Sequence, residues 1–254
     1  MIYSPSIEII FNKSSLAFTD KIKKVSQLGF SAFEFWGWRD KDLGLVLEAS
    51  NELGIQVASM CAGFIPLVDP SRREEFLLDL EQSLDAAKQL KCPFLIVFSG
   101  DGLDGISREV QIDSIVKGLQ ASIPLLENTG VTLILEPLNA LLDHKGYFLN
   151  KSSEAAYIVE QVGNDQIKFL FDVYHQQITE GNLIPNITEY FDQIGYYHVA
   201  DHPGRLEPGT GEINYINVIQ AIQKLGYKGY IGLEYNPSTD PETSLLEIKK
   251  TFSA

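Results

Sequence analysis

Cysteine is scarce in this sequence. The chain of 254 residues has two cysteines, Cys61 and Cys92. Two cysteines cannot build a disulfide framework, and the distance between these two along the chain matches no metal-binding cysteine motif. We therefore expect both to be buried free thiols, in a protein that works in a reducing cytoplasm.

Basic residues and long apolar runs are also lacking. The chain has 20 Lys and Arg against 34 Asp and Glu, a net charge of −14. Such a surface repels phosphate backbones and anionic membranes, so we expect neither nucleic acid nor membrane as a partner. No apolar run approaches the ~20 residues of a membrane-spanning helix. Residues 1–12 also lack the basic stretch and long apolar core of a secretory signal.

What the sequence does have is a regular alternation of strand and helix patterns. The predicted strands are residues 6–11, 32–36, 55–61, 94–98, 132–136, 167–172, 194–200 and 230–235. The predicted helices are residues 18–28, 40–53, a segment capped by Ser71, 107–129, 153–162, a segment near Ile187, 215–225 and a segment after Pro241. Strict alternation over this length predicts a parallel barrel.

The fold that this pattern predicts is a single-domain (β/α)₈ barrel over residues 1–254. No linker, charge block or low-complexity segment divides the chain. An open doubly wound sheet is the alternative, but no Gly-x-Gly-x-x-Gly fingerprint follows an early strand. In a closed barrel the active site lies at the carboxyl ends of the strands.

Four polar residues lie at or near the carboxyl ends of successive predicted strands: Glu136, Asp172, His198 and Glu234. Taken singly, an acid at a strand end is more often the cap of the next helix, and a strand histidine is more often a hydrogen-bonded core residue. Taken together, the like charges would repel one another unless a divalent cation joined them. The oxygen-rich set favours Mn²⁺ or Mg²⁺, and the imidazole also admits Co²⁺ or Zn²⁺.

Four motifs carry a resemblance to a known family. They are Glu136-Pro137-Leu138-Asn139, residues 172–177, residues 203–215 with the string Pro-Gly-Arg-Leu-Glu-Pro-Gly, and residues 232–237. With Phe33-Glu34-Phe35-Trp36, they resemble hydroxypyruvate isomerase and its close relatives in the xylose-isomerase-like TIM barrel superfamily. The likeness covers nearly the whole chain. One position differs, since hydroxypyruvate isomerase commonly carries Gln where this chain has His198, and the ketose 3-epimerases of the superfamily carry His.

The resemblance implies roles for particular residues. Glu136, Asp172, His198 and Glu234 would be the metal ligands, and Glu136 and Glu234 would also be the acid/base pair that moves a proton through an enediolate. His175 would hydrogen-bond a substrate oxygen, or else hold its own loop.

Three further residues are expected at the site. Arg205 suits a substrate carboxylate, with a surface ion pair to Glu207 as the alternative. Trp36 and Phe64 would form an apolar wall of the pocket, with core packing an equal alternative.

The implied function is a metal-dependent isomerase of a short hydroxy-oxo acid, either hydroxypyruvate and tartronate semialdehyde or a four-carbon relative. A ketose 3-epimerase acting on free sugars is the second hypothesis. An endonuclease IV-like repair enzyme is disfavoured, because that chemistry needs many histidines and a basic face, and this chain has four histidines. A non-catalytic sugar-binding barrel would leave both glutamates without a purpose. A homo-oligomeric assembly stays open.

Overall fold

Parallel strands form a curled sheet in the computed structural model, which describes residues 1–253. The strands are β1 (Ile2–Pro5), β2 (Ala32–Phe33), β3 (Gln56–Val57), β4 (Ser59–Cys61), β5 (Phe94–Phe98), β6 (Thr132–Glu136), β7 (Ile167–Asp172), β8 (Ile194–Val199) and β9 (Tyr230–Leu233). Seven of them pair in the order β1-β9-β8-β7-β6-β5-β4. Pairing of the first strand with the last is the mark of a sheet that closes on itself.

The short strands β2 and β3 fill the remaining gap between β1 and β4. They pair with each other, Ala32 opposite Gln56 and Phe33 opposite Val57. Backbone N–H groups then continue the ladder on both sides, from Glu34 to the carbonyl of Pro5 at 3.0 Å and from Phe35 to that of Ser59 at 3.4 Å. The predicted (β/α)₈ barrel is therefore confirmed, with β3 and β4 as two halves of one barrel strand.

Helices cover the outside of the barrel. They are α1 (Ile7–Ile10), α2 (Phe18–Gln27), α3 (Leu43–Leu53), α4 (Arg73–Leu90), α5 (Arg108–Leu126), α6 (Ser152–Val162), α7 (Val173–Thr179), α8 (Leu183–Glu189), α9 (Tyr215–Lys224) and α10 (Pro241–Ser253). The residue predicted to cap α4, Ser71, is not its cap. It lies inside a 3₁₀ turn, Pro70–Arg72, whose own cap is Asp69, because the Asp69 carboxylate accepts the Ser71 N–H at 2.9 Å. No helix within residues 1–253 has the length and apolarity to span a membrane.

The first predicted strand was wrong. Residues 6–11 have the β-branched composition of a strand, but the strand is β1, and Ile7–Ile10 is a helical turn after it. Ile7, Ile9 and Ile10 are all buried in that turn, which follows β1 directly. Burial of the three isoleucines therefore outweighs their strand propensity. The prediction for Cys61 and Cys92 is confirmed, since both are buried free thiols.

Candidate active site

Four predicted residues meet at the carboxyl ends of β6 to β9. Glu136 and Asp172 are the last residues of β6 and β7, His198 is the second-last residue of β8, and Glu234 follows β9. The register places Asp172 opposite His198. All four side chains are buried, and one ligand atom from each lies within 4.8 Å of the others. The fold thus brings together residues that are up to 98 positions apart (136 to 234) in the sequence.

The atoms at the centre of this cluster fit a metal ion. Nδ1 of His198 lies 3.4 Å from Oε1 of Glu136 and 3.4 Å from Oε2 of Glu234. Neither Nδ1 of His198 nor Oε1 of Glu136 has a hydrogen-bond partner among residues 1–253. Buried polar atoms without partners are costly, and a divalent cation coordinated by oxygen and imidazole would satisfy them. The cluster could therefore hold a metal, and its donor set does not by itself identify which one.

Burial shapes the charge of the cluster. It raises the pKa of Glu136 to about 7 and that of Asp172 to about 6, although His198 opposes both shifts. Burial alone would lower the pKa of His198, but the surrounding carboxylates, with Glu34 first among them, raise it well above its ordinary value. Buried acids with raised pKa values hold protons more tightly than free ones, so a cation that bound here would compete with protons for Glu136 and Asp172.

Glu234 is held from two sides by residues predicted to contact substrate. The indole Nε1 of Trp36 donates a hydrogen bond to Oε1 of Glu234 at 2.6 Å, and the Arg205 guanidinium donates through Nη2 to Oε2. Burial would raise the pKa of Glu234, but the charges of Arg205 and His198 lower it below its usual range. Trp36, predicted as part of an apolar wall, therefore also makes a polar contact to a candidate catalytic carboxylate.

Arg205 does not form the alternative ion pair with Glu207. Glu207 instead accepts the backbone N–H of Ser238 at 2.8 Å, which holds the loop. Arg205 has a left-handed backbone, with φ of 54°, and its carbonyl accepts the N–H of Asn236 at 2.7 Å. These contacts turn the side chain inward over the Tyr174 ring, with 5.3 Å between the guanidinium carbon and the ring centre. The Nε–H of Arg205 is buried and has no partner within residues 1–253.

His175 presents a second unpaired donor. Its Nδ1 lies 3.3 Å from the backbone N of Asn139 and 2.6 Å from the Asn139 side-chain amide nitrogen, and both of these are donors. Nδ1 is therefore an acceptor, which places the ring proton on Nε2. Burial and the charge of Arg205 lower the pKa of His175 well below its ordinary value, so the ring is neutral. Its buried Nε2 has no hydrogen-bond partner among residues 1–253 and lies 3.6 Å from Oδ2 of Asp172.

The cluster opens into a cavity of about 680 Å³. Trp36, Phe64, Glu136, His175, Arg205 and Glu234 all line it. Phe64 is 69% exposed and stacks on Phe98, with ring centres 4.9 Å apart. Phe64 therefore belongs to the pocket wall rather than to the core.

Two neighbours of the site were not assigned a role from the sequence. Asn139 sets the tautomer of His175, and Glu34 lies behind His198, with Oε1 3.2 Å from Nε2 of the ring. Both belong to quoted motifs, but their contacts join separate strands of the barrel. The one sequence signal for Glu34 is an acid between two phenylalanines, Phe33 and Phe35, in a stretch that reads as a buried strand.

Comparisons with known proteins agree with the barrel fold. The sequence profile of the family described as Xylose isomerase-like TIM barrel matches residues 22–251. Hydroxypyruvate isomerase of Escherichia coli strain K12 is 30% identical over 251 residues, which are 96% of each chain. The 2-oxo-tetronate isomerase of Pectobacterium atrosepticum is 26% identical, over 96% of this chain and 95% of its own.

Solved structures share the fold at lower sequence identity. The crystal structure of a family 2 AP endonuclease from Brucella melitensis is 24% identical with a TM-score of 0.92, over 98% of each chain. D-psicose 3-epimerase from Clostridium cellulolyticum H10 is 18% identical with a TM-score of 0.85, over 100% of this chain and 98% of the other. By profile match and by sequence identity over nearly its full length, the chain belongs to the xylose isomerase-like TIM barrel family, among its hydroxypyruvate isomerase-like isomerases.

Proposed function

We propose that this protein is a metal-dependent isomerase of a short 2-oxo acid with a neighbouring hydroxyl group. The substrate pair is hydroxypyruvate and tartronate semialdehyde, or a four-carbon relative. The observation that carries the proposal is a pair of buried, unpartnered donors beside the cluster, Nε of Arg205 and Nε2 of His175. The names of the E. coli and P. atrosepticum relatives support the same substrate class.

The two donors fit the oxygens of an oxo acid. A guanidinium matches a carboxylate in charge and geometry, and a neutral imidazole N–H can donate to a hydroxyl or carbonyl oxygen. Both residues line the cavity next to Glu136 and Glu234. In a three-carbon acid, only two carbons follow the carboxylate, and both react. If Arg205 bound the carboxylate, these two carbons would therefore lie next to the cluster.

The proton transfer falls to the two glutamates. A metal held by Glu136, Asp172, His198 and Glu234 would polarise the carbonyl and make the neighbouring C–H more acidic. One glutamate removes the proton from C3 of hydroxypyruvate, giving an enediolate, and the other returns a proton to C2. The 3-hydroxyl proton passes to the C2 oxygen, so that the product is tartronate semialdehyde and no electrons are gained or lost.

A ketose 3-epimerase is the second candidate, and one residue favours it. His198 stands where hydroxypyruvate isomerase commonly has Gln, whereas the ketose 3-epimerases of the superfamily have His. The same pair of glutamates could then remove and return a proton on opposite faces of C3 of a free ketose. Arg205 argues for the acid, because a neutral ketose has no carboxylate to match its charge.

DNA cleavage is not proposed, although one solved structure of the same fold is an AP endonuclease. The likeness to that protein is at 24% identity and shows the fold alone. The cluster here has one histidine, and the net charge of −14 opposes binding to a phosphate backbone. Tight binding to duplex DNA at about 150 mM salt would overturn this exclusion.

Proton NMR in D₂O tests the proposed reaction. The Mn²⁺-loaded enzyme should convert hydroxypyruvate, with deuterium entering C3 of hydroxypyruvate and C2 of tartronate semialdehyde. The matched control is Glu136→Gln, which keeps the size of the side chain and should abolish the exchange.

Two results would contradict the proposal. Turnover of free ketohexoses with exchange at C3, and none of hydroxypyruvate, would make the protein an epimerase. Binding of either substrate with neither conversion nor exchange of carbon-bound hydrogen would make it a non-catalytic barrel.

A further inference from the structure

The geometry points to Glu34 as a positioning residue for His198. Glu34 lies on the far side of the imidazole from the candidate metal cluster. It lies next to Nε2, the ring nitrogen that faces away from the cluster. We infer that Glu34 keeps a proton on Nε2 of His198, so that the lone pair of Nδ1 is available to a cation. This inference rests on the metal site proposed above.

The Glu34 carboxylate is itself fixed. It is 2% exposed, and its Oε2 accepts hydrogen bonds from the hydroxyls of Tyr196 at 2.6 Å and Ser59 at 3.2 Å. The other oxygen, Oε1, lies 3.2 Å from Nε2 of His198, which is an ion-pair distance without the alignment of a hydrogen bond. The two hydroxyls therefore decide which carboxylate oxygen faces the ring.

Gly232 makes the space for this contact. It lies opposite His198 in the register of β8 and β9. A Cβ at position 232 would come within 2.5 Å of Oε2 of Glu34 and 2.5 Å of Cδ2 of His198. Since real Cβ atoms do not approach other atoms so closely, a side chain here would push Glu34 and His198 apart. A glycine at this position of β9 is thus needed for Glu34 and His198 to lie next to each other.

An imidazole that binds a cation through one nitrogen carries its proton on the other. A carboxylate beside that second nitrogen stabilises the proton, fixes the orientation of the ring and makes it a better ligand. In Glu34→Gln, the amide oxygen would stay with the two hydroxyl donors, Tyr196 and Ser59. The amide N–H groups would then face the Nε2 proton, donor against donor, and disfavour the form of His198 that binds metal.

The measurement is the affinity of purified protein for Mn²⁺, followed by the EPR signal of free Mn²⁺. Glu34→Gln should bind Mn²⁺ roughly ten- to a hundredfold more weakly than wild type. Tyr196→Phe is the matched control, because it removes a buried hydrogen bond to the same carboxylate and leaves the charge beside His198. The Mn²⁺ affinity of Tyr196→Phe should stay within about threefold of that of the wild type.

A double-mutant cycle separates positioning from general damage. In a His198→Gln background there is no imidazole to orient, so adding Glu34→Gln should change Mn²⁺ affinity by less than about threefold. Equal affinities of wild type and Glu34→Gln would overturn the inference, as would an undiminished loss in the His198→Gln background. If Glu34→Gln does not fold, Glu34→Asp replaces it, because aspartate keeps the charge but is too short to reach Nε2 as closely. An unchanged Mn²⁺ affinity of Glu34→Asp would also overturn the inference. Wild-type protein that binds no Mn²⁺ would sink the proposed metal site itself.

Discussion

Arg205 is the residue on which the choice between an acid and a neutral sugar depends. Its guanidinium lies inside the cavity wall with one donor on Glu234 and its Nε–H unpaired. The Nη2 group holds a candidate catalytic carboxylate, and the Nε–H is left for the proposed substrate. Under the proposed function, one side chain would thus link substrate binding to the acid/base pair.

Arg205→Lys tests that link. Lysine keeps the charge but loses the planar fork, so about 1.5–3 kcal/mol of charge-assisted hydrogen bonding is lost with an ionised partner. We expect kcat/KM for hydroxypyruvate to fall roughly ten- to a hundredfold, and that for a neutral ketotriose or ketotetrose to fall much less. Steady-state kinetics of both substrates with both proteins check this. An equal loss on the two substrates would mean that Arg205 only supports its loop.

Asp172 and Glu136 should respond differently to added metal. Asp172→Asn and His198→Ala remove a ligand alone, so high Mn²⁺ should restore part of their activity. Glu136→Gln and Glu234→Gln also remove a proton carrier, and metal cannot replace it. Activity titrated against Mn²⁺ for the four variants distinguishes the two classes. Near wild-type turnover of Glu136→Gln at high Mn²⁺ would exclude an acid/base role for Glu136.

The sequence could predict where the candidate ligands are but not what surrounds them. Four polar residues at or near strand ends are visible because each follows a run of mostly apolar or aromatic residues. The contacts from Glu34 to His198 and from Asn139 to His175 depend on which strands become neighbours and on how side chains cross the barrel. No local pattern contains that information. The polar contact from Trp36 to Glu234 is hidden for the same reason.

At the scale of elements, the junction of β7 and α7 does two things with one side chain. Oδ1 of Asp172 accepts the backbone N–H groups of Tyr174 at 2.8 Å and His175 at 3.3 Å, as a helix N-cap does. The other oxygen remains for the cluster. The cap and the candidate ligand are thus the same carboxylate, and the capping interpretation of this acid is confirmed by its two contacts.

Comparing Asp172→Ala with Asp172→Asn isolates the cap. Both variants lose the charge and the metal ligand, but asparagine can still accept the two N–H groups. We expect the alanine variant to be less stable than the asparagine variant by about 1 kcal/mol. Urea unfolding of both proteins without metal measures the difference. Equal midpoints would show that the first turn of α7 does not need a cap.

The elements that could be predicted are those with one clear signal. Strands β5, β6 and β7 have the predicted bounds, because each has the mostly apolar interior of a strand that is buried on both faces. Helix α7 was missed, since seven residues directly after a strand show too little periodicity. The first strand was misplaced because isoleucines buried in a helical turn have the same composition as a strand.

At the scale of the whole molecule, metal binding should stabilise the fold. The four candidate ligands come from four successive strands, so a bound cation would join half of the barrel. At about 100 times its dissociation constant, a ligand specific to the folded state contributes ~2.7 kcal/mol.

We therefore expect Mn²⁺ to raise the unfolding temperature by roughly 5–10 °C for a protein of this size. Differential scanning calorimetry with Mn²⁺ and with a chelator measures this shift. The control is Asp172→Asn, which should respond much less at the same Mn²⁺ concentration. A shift of equal size in that variant would mean that the stabilising ion binds elsewhere.

The cavity of about 680 Å³ has a consequence for how this barrel can change its substrate. A three-carbon acid of the proposed class would fill only part of this volume, next to Arg205, His175 and the two glutamates. Phe64 lines the same cavity, is 69% exposed and has no polar side-chain atom that could hold a proton. Under the proposed function, substitutions of Phe64 would change the carbon-chain length that fits without removing any group that moves a proton. The selection of chain length and the proton transfer would then depend on different residues of one cavity.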